Sequence, residues 1–76
     1  MPLTPRHFAQ RLNQCLDDAD TPSLPRERAN ILSKMLDIPK QQAHSLLEGQ
    51  TLPDQPLIDR IASEFEVDPA WLTGDK

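Results

Sequence analysis

The sequence is short of nearly everything that would staple or specialise a small domain. Cys15 is its only cysteine, which excludes a disulfide within the chain and, with only two histidines, a zinc framework. Two glycines leave no room for a phosphate-cradling loop. Tyrosine is absent, Val67 is the single valine, and no run alternates apolar with polar residues, so strand signals are missing. No apolar stretch approaches the roughly 20 residues of a membrane span, and Met1-Pro2-Leu3-Thr4-Pro5 has no signal-peptide pattern. A surplus of positive charge is missing too: eight Lys and Arg face twelve Asp and Glu, for a net charge of −4. Taken over the whole chain, that balance argues against nucleic acid. A chain of 76 residues buries only roughly 60% of the surface it exposes when unfolded. One small helical domain of cytoplasmic type is expected, with self-association as a source of further stability.

Proline, by contrast, is abundant, with eight residues. Pro5 follows Thr4, Pro25 closes the segment from Thr21, Pro39 follows Ile38, Pro56 stands two residues after Asp54, and Pro69 follows Asp68. Proline at the first helical position loses no hydrogen bond, and Thr or Asp just before it can cap the free amides. These five prolines therefore predict helix starts, while Pro22 and Pro53 fall in connections. The apolar spacing agrees. Phe8, Leu12, Cys15, Leu16 and Ala19 mark a helix over about residues 5–18, and Ala29, Leu32, Ser33 and Leu36 a second over about 26–36. Ala43, Leu46 and Leu47 belong to a third, about 40–48. Ile58, Ile61, Ala62 and Phe65 belong to a fourth, about 57–66, and Trp71 and Leu72 to a last turn over 69–73. Gly49 and Gly74 stand where left-handed residues would end helices. The expected architecture is all-α: one compact five-helix domain spanning residues 1–76, with no linker.

The stretch from Ala29 to Gln50 is the informative one. Two short helices joined by Asp37-Ile38-Pro39, with Ile38 turned inward and the small Ser33 near the crossing, have helix-turn-helix spacing. On spacing alone, any short helical hairpin in a bundle fits equally. The segment Ile38-Pro39-Lys40-Gln41-Gln42-Ala43-His44-Ser45-Leu46-Leu47-Glu48-Gly49 resembles the recognition-helix region of the phage-repressor and Cro-like (Xre-type) helix-turn-helix family. Leu52-Pro53, Ile58-Asp59-Arg60-Ile61-Ala62 and Val67-Asp68-Pro69-Ala70-Trp71-Leu72-Thr73-Gly74 are similar to that family's loop, fourth helix and closing turn. The likeness covers about residues 6 to 74.

That resemblance implies a lambda-repressor-like domain whose third helix enters the DNA major groove while the second lies across the backbone. Lys40, Gln41, Gln42, His44 and Ser45 then fall on the outward face, and Ala43 and Leu46 on the core face. Gln pairs bidentately with adenine, and Lys reaches guanine or phosphate. Gln50 and Thr51 match positions that contact phosphate in the family, and Arg26 and Arg28 lie near the start of the second helix, where phosphate is also favoured. The sequence departs from the family pattern at Ala29, Asp37, Pro39, Leu46, His44 and Ser45, where Gln, Gly, Ser, an aromatic residue and further basic residues are commoner.

Divided along the chain, the charge separates. Residues 1–16 carry +2 and residues 24–52 carry +1, whereas residues 17–23 carry −3 and residues 53–76 carry −4. The acidity therefore concentrates away from the presumed reading helix. So thin a positive footprint implies a homodimer on two DNA half-sites. Phe65, Val67, Trp71 and Leu72 are candidates for its interface, or else simply close the monomer core.

The other signals lead nowhere catalytic. Asp18-Ala19-Asp20 fails as a calcium loop because Pro22 and Ala29 occupy ligand positions. Cys15, inside an apolar stripe, reads as an inert buried thiol, and neither His7 nor His44 has metal-ligand spacing. No cofactor and no enzyme activity are expected. The leading expectation is a sequence-specific transcriptional regulator, repressor-like, acting on a double-stranded DNA operator in the cytoplasm at the nucleoid. The alternative is an acidic adaptor of the same fold that docks a protein through an exposed Leu47 and helix four.

Overall fold

A computed structural model describes residues 4–74. Among the described residues five helices follow one another: α1 (Pro5–Asp18), α2 (Pro25–Leu36), α3 (Lys40–Glu48), α4 (Gln55–Phe65) and α5 (Pro69–Leu72). No strand occurs among the described residues. The expected ends hold within two residues; α4 opens at Gln55 instead of 57, and α2 at Pro25 instead of 26.

Capping chemistry explains the starts. Thr4 Oγ1 accepts from the His7 amide at 3.1 Å, an Asp54 carboxylate oxygen from the Leu57 amide at 3.1 Å, and an Asp68 carboxylate oxygen from the Ala70 amide at 2.9 Å. Each satisfies an amide that has no partner within its helix. Pro5, Pro25 and Pro69 occupy first helical positions as expected. Pro39 differs: it is the residue before α3 and caps nothing with its side chain. Pro56 sits one residue inside α4, behind Gln55.

The four longer helices share one way of ending. The amides of Thr21, Ile38, Gln50 and Val67 reach back to the carbonyls of Leu16, Ser33, Ser45 and Ala62, at 2.9–3.2 Å. This closing bond requires a left-handed residue just before it. Gly49 supplies it for α3 with φ 74°, but Asp20, Asp37 and Glu66 supply it elsewhere, at φ 56–60°. Three acidic side chains thus hold a conformation that glycine adopts far more cheaply.

The core is one cluster. Phe8, Leu12 and Leu16 of α1 meet Ala29, Leu32 and Leu36 of α2, Ala43 and Leu46 of α3, Ile58 and Ile61 of α4, and Leu72 of α5. Leu72 is fully buried, and Phe65, Val67 and Trp71 pack half-buried against the same cluster. Four candidates for a self-association surface therefore contribute first to closing the monomer. Trp71 is further held by Arg11, whose guanidinium lies 4.5 Å over its ring and donates to its carbonyl at 3.1 Å. No helix among the described residues is long and apolar enough to cross a membrane.

Candidate nucleic-acid interface

The turn between α2 and α3 is set by a reciprocal pair. The Ile38 amide donates to the Ser33 carbonyl at 3.1 Å, and the Ser33 hydroxyl donates back to the Ile38 carbonyl. Ser33 therefore does more than allow close approach: its hydroxyl fixes the exit angle of the chain. Asp37, at φ 57° and ψ 51°, makes the left-handed step, and half-buried Ile38 packs on the core. These contacts hold α3 to α2 on one side. On the other, Asn13 of α1 donates to the Leu47 carbonyl at 3.3 Å, and the Arg6 backbone lies close against Gly49.

So fixed, α3 turns Ala43, Leu46 and Leu47 inward and presents its first turn to solvent. Lys40, Gln41 and Gln42 are exposed, while His44 and Ser45 are half-buried at the edge of the same face. Pro39, Gln41, Gln42, Ser45 and Thr51 line a shallow concavity there. No side chain caps the helix and its first turn holds no acid, so its amides and the positive end of its dipole remain open. Gln50 is tied back: its amide nitrogen donates to Glu48 at 3.0 Å, and its oxygen faces the Ser45 hydroxyl at 3.5 Å.

Two expected features are corrected here. Arg28 is not a surface phosphate contact but is only 6% exposed. Its guanidinium donates to the Pro22 carbonyl at 2.7 Å, to the carbonyl and side-chain oxygen of Asn13 at 3.3 and 3.0 Å, and to the Asp17 carboxylate. All its donors point into the joint between α1 and α2, because a buried guanidinium needs acceptors on every side. Leu47 is not exposed either; it is 8% exposed and belongs to the core.

Sequence reasoning also missed a neighbour. Arg6 is exposed, and its backbone lies beside Gly49, next in sequence to the loop residues Gln50 and Thr51. Nothing local in the sequence signals this; the contact arises from packing α1 against the end of α3. Arg11, counted with the positive surface, is instead committed to Trp71. The exposed cations of the basic half are therefore Arg6, Arg26, Lys34 and Lys40.

Among the described residues no group of three or more His, Cys, Asp or Glu is placed to hold a metal ion. Cys15 is 4% exposed. Burial, and then the nearby Asp18 carboxylate, raise its pKa above the ordinary thiol value, which disfavours thiolate chemistry. No family model, curated protein or solved structure matches the chain.

Proposed function

We propose that this protein is a sequence-specific DNA-binding transcriptional regulator, repressor-like and non-catalytic, that acts as a homodimer at the nucleoid. The observation that carries this reading is the first turn of α3. Lys40, Gln41 and Gln42 project together from an uncapped, acid-free helix start on a helix locked in place from both sides. A helix that presents hydrogen-bonding side chains at its N-terminal end suits major-groove entry: Gln41 and Gln42 face base edges, and Lys40 reaches guanine or phosphate. The resemblance to Xre-type domains supports the same assignment. Arg6, Gln50 and Thr51 border the phosphate backbone on one side, and Arg26 serves the start of α2.

With Arg28 and Arg11 committed inside the fold, few cations are left for phosphates. Two or three neutralised phosphates per subunit give a salt slope of about −2 to −3. Pairing two subunits on half-sites about 34 Å apart roughly doubles it. The adaptor reading loses its main support with the burial of Leu47.

The test is selection of the folded protein on random and genomic duplexes, followed by anisotropy titration of the enriched sequences at two salt concentrations. The expected result is saturable binding to particular duplexes that disappears in the double variant Lys40→Ala, Gln41→Ala. Absence of binding at low salt by a protein shown to be folded would falsify the reading.

A further inference from the structure

Three carboxylates gather where α1 and α4 both end. Between the two ends runs a groove whose apolar lining, its floor, is Cys15, Ala19, Phe65 and Val67 and whose acidic lining, its rim, is Asp18, Glu64 and Glu66; Ala19 is exposed and Cys15 buried. The rim residues are exposed, and Phe65 and Val67 are only half covered. Asp20 stands in the adjoining loop.

This corner is electrostatically unfavourable for the isolated chain. A helix C-terminus is the negative end of its dipole, and cations in the last turn stabilise it. Neither α1 nor α4 has a basic residue in its last turn, and carboxylates stand there instead. Two negative helix ends and a carboxylate rim thus converge on an apolar floor without a countercharge among the groove residues. Such a field repels nucleic acid and anionic lipid, and it attracts a cationic side chain attached to an apolar one.

We propose that this groove docks a cationic amphipathic segment of a partner protein, with an aliphatic side chain on the Cys15–Ala19–Phe65–Val67 floor and Lys or Arg at the rim. The groove contains no residue of α3. Asp18 is twelve residues along α1 from Arg6, about 18 Å at the helical rise, so the surface remains available while α3 occupies a duplex. The docking does not depend on the DNA-binding reading.

The probe is a synthetic amphipathic helix with a leucine face bordered by lysines, titrated into the labelled full chain by amide NMR. Saturable shifts confined to residues 15–19 and 64–67 are expected. The pair Asp18→Asn and Glu64→Gln, both at exposed positions, should weaken binding about tenfold. Ala19→Gln, which fills the floor without changing charge, should weaken it as well, and Lys40→Ala should leave it unchanged. Equal binding by a control peptide with serines in place of the leucines overturns the proposal, because charge alone then explains the contact. So do the same shifts on adding calcium alone, concentration-dependent shifts of this patch without peptide, or undiminished binding by the carboxylate pair.

Discussion

Arg28 of α2 forms an ion pair with Asp17 of α1 in which the arginine is buried and the carboxylate is largely open to solvent. The pair itself is therefore screened, and the strength of the joint lies in the other acceptors, Pro22 and Asn13. Asp17→Asn should cost less than about 1 kcal/mol. Arg28→Ala should cost about 2–4 kcal/mol, because it removes the donor of several part-buried carbonyl and amide oxygens and opens space between the helices. Urea denaturation separates the two variants. The larger loss should accompany Arg28, and equal losses would place the stabilisation in the ion pair.

DNA binding should respond differently at the exposed positions. Lys40→Ala should weaken all duplexes alike and lower the salt slope by about 1. Gln42→Ala should relax preference at one base position by about 1–3 kcal/mol and leave the slope unchanged. Arg28→Met, compared under conditions where it is fully folded, should leave the slope untouched, whereas loss of a phosphate-contacting charge would lower it by about 1. Parallel titrations at several salt concentrations make the comparison, and a slope that changes with Arg28 would return that residue to the interface.

The left-handed acids are a reserve of stability. Asp37 and Glu66 hold φ 57° and 56° as helix-ending residues, a conformation that costs an ordinary residue about 1–2 kcal/mol. Replacing either by glycine removes that cost but adds chain entropy to the unfolded state, for a net gain of about 0.5–1 kcal/mol. Glu66→Gly should gain more than its geometry alone implies, since it also removes a carboxylate from the end of α4. Thermal melts of the two single variants check this, and a lowered Tm in both contradicts the account.

Gly49 is the converse case. Its φ is 74°, and a Cβ there would sit 3.1 Å from the Arg6 Cα, a backbone atom that cannot swing away. Gly49→Ala therefore combines strain with a push of α1 away from the end of α3, and a loss of about 2 kcal/mol is expected. Exchange should show the damage first at the Asn13 side-chain amide, which donates to the Leu47 carbonyl and so joins the two helices. Uniform destabilisation without local opening there would show that the close approach is unimportant.

Most helix starts were legible because their causes are local: Thr4, Asp54 and Asp68 act within three residues of themselves. The ends were half legible. Glycine was the signal sought, and Gly49 and Gly74 do adopt positive φ, but acidic residues fill the same role at Asp20, Asp37 and Glu66. Side-chain fate was the least legible. Arg28 and Arg26 are two residues apart on one helix, yet one is buried and the other exposed. What separates them is the placement of Asn13 and Asp17, acceptors on another helix. Leu47 shares the i, i+3, i+4 apolar stripe of α3 with Ala43 and Leu46, and its burial follows that stripe once α1 covers the flank.

Cys15 gives the pH dependence a definite sign. Burial, and then Asp18, raise its pKa in the folded chain above the ordinary thiol value. The unfolded chain therefore loses the thiol proton first. The stability tied to the neutral thiol is fully present below about pH 9 and is lost as pH rises through the folded pKa. Urea midpoints should fall across that alkaline range in the native sequence. In Cys15→Ala this contribution should vanish, although the variant starts lower because a buried side chain has been cut back. Native thiol alkylation should likewise be slow at neutral pH and become fast in urea. An alkaline profile that is identical in both chains would show that Cys15 has no part in it.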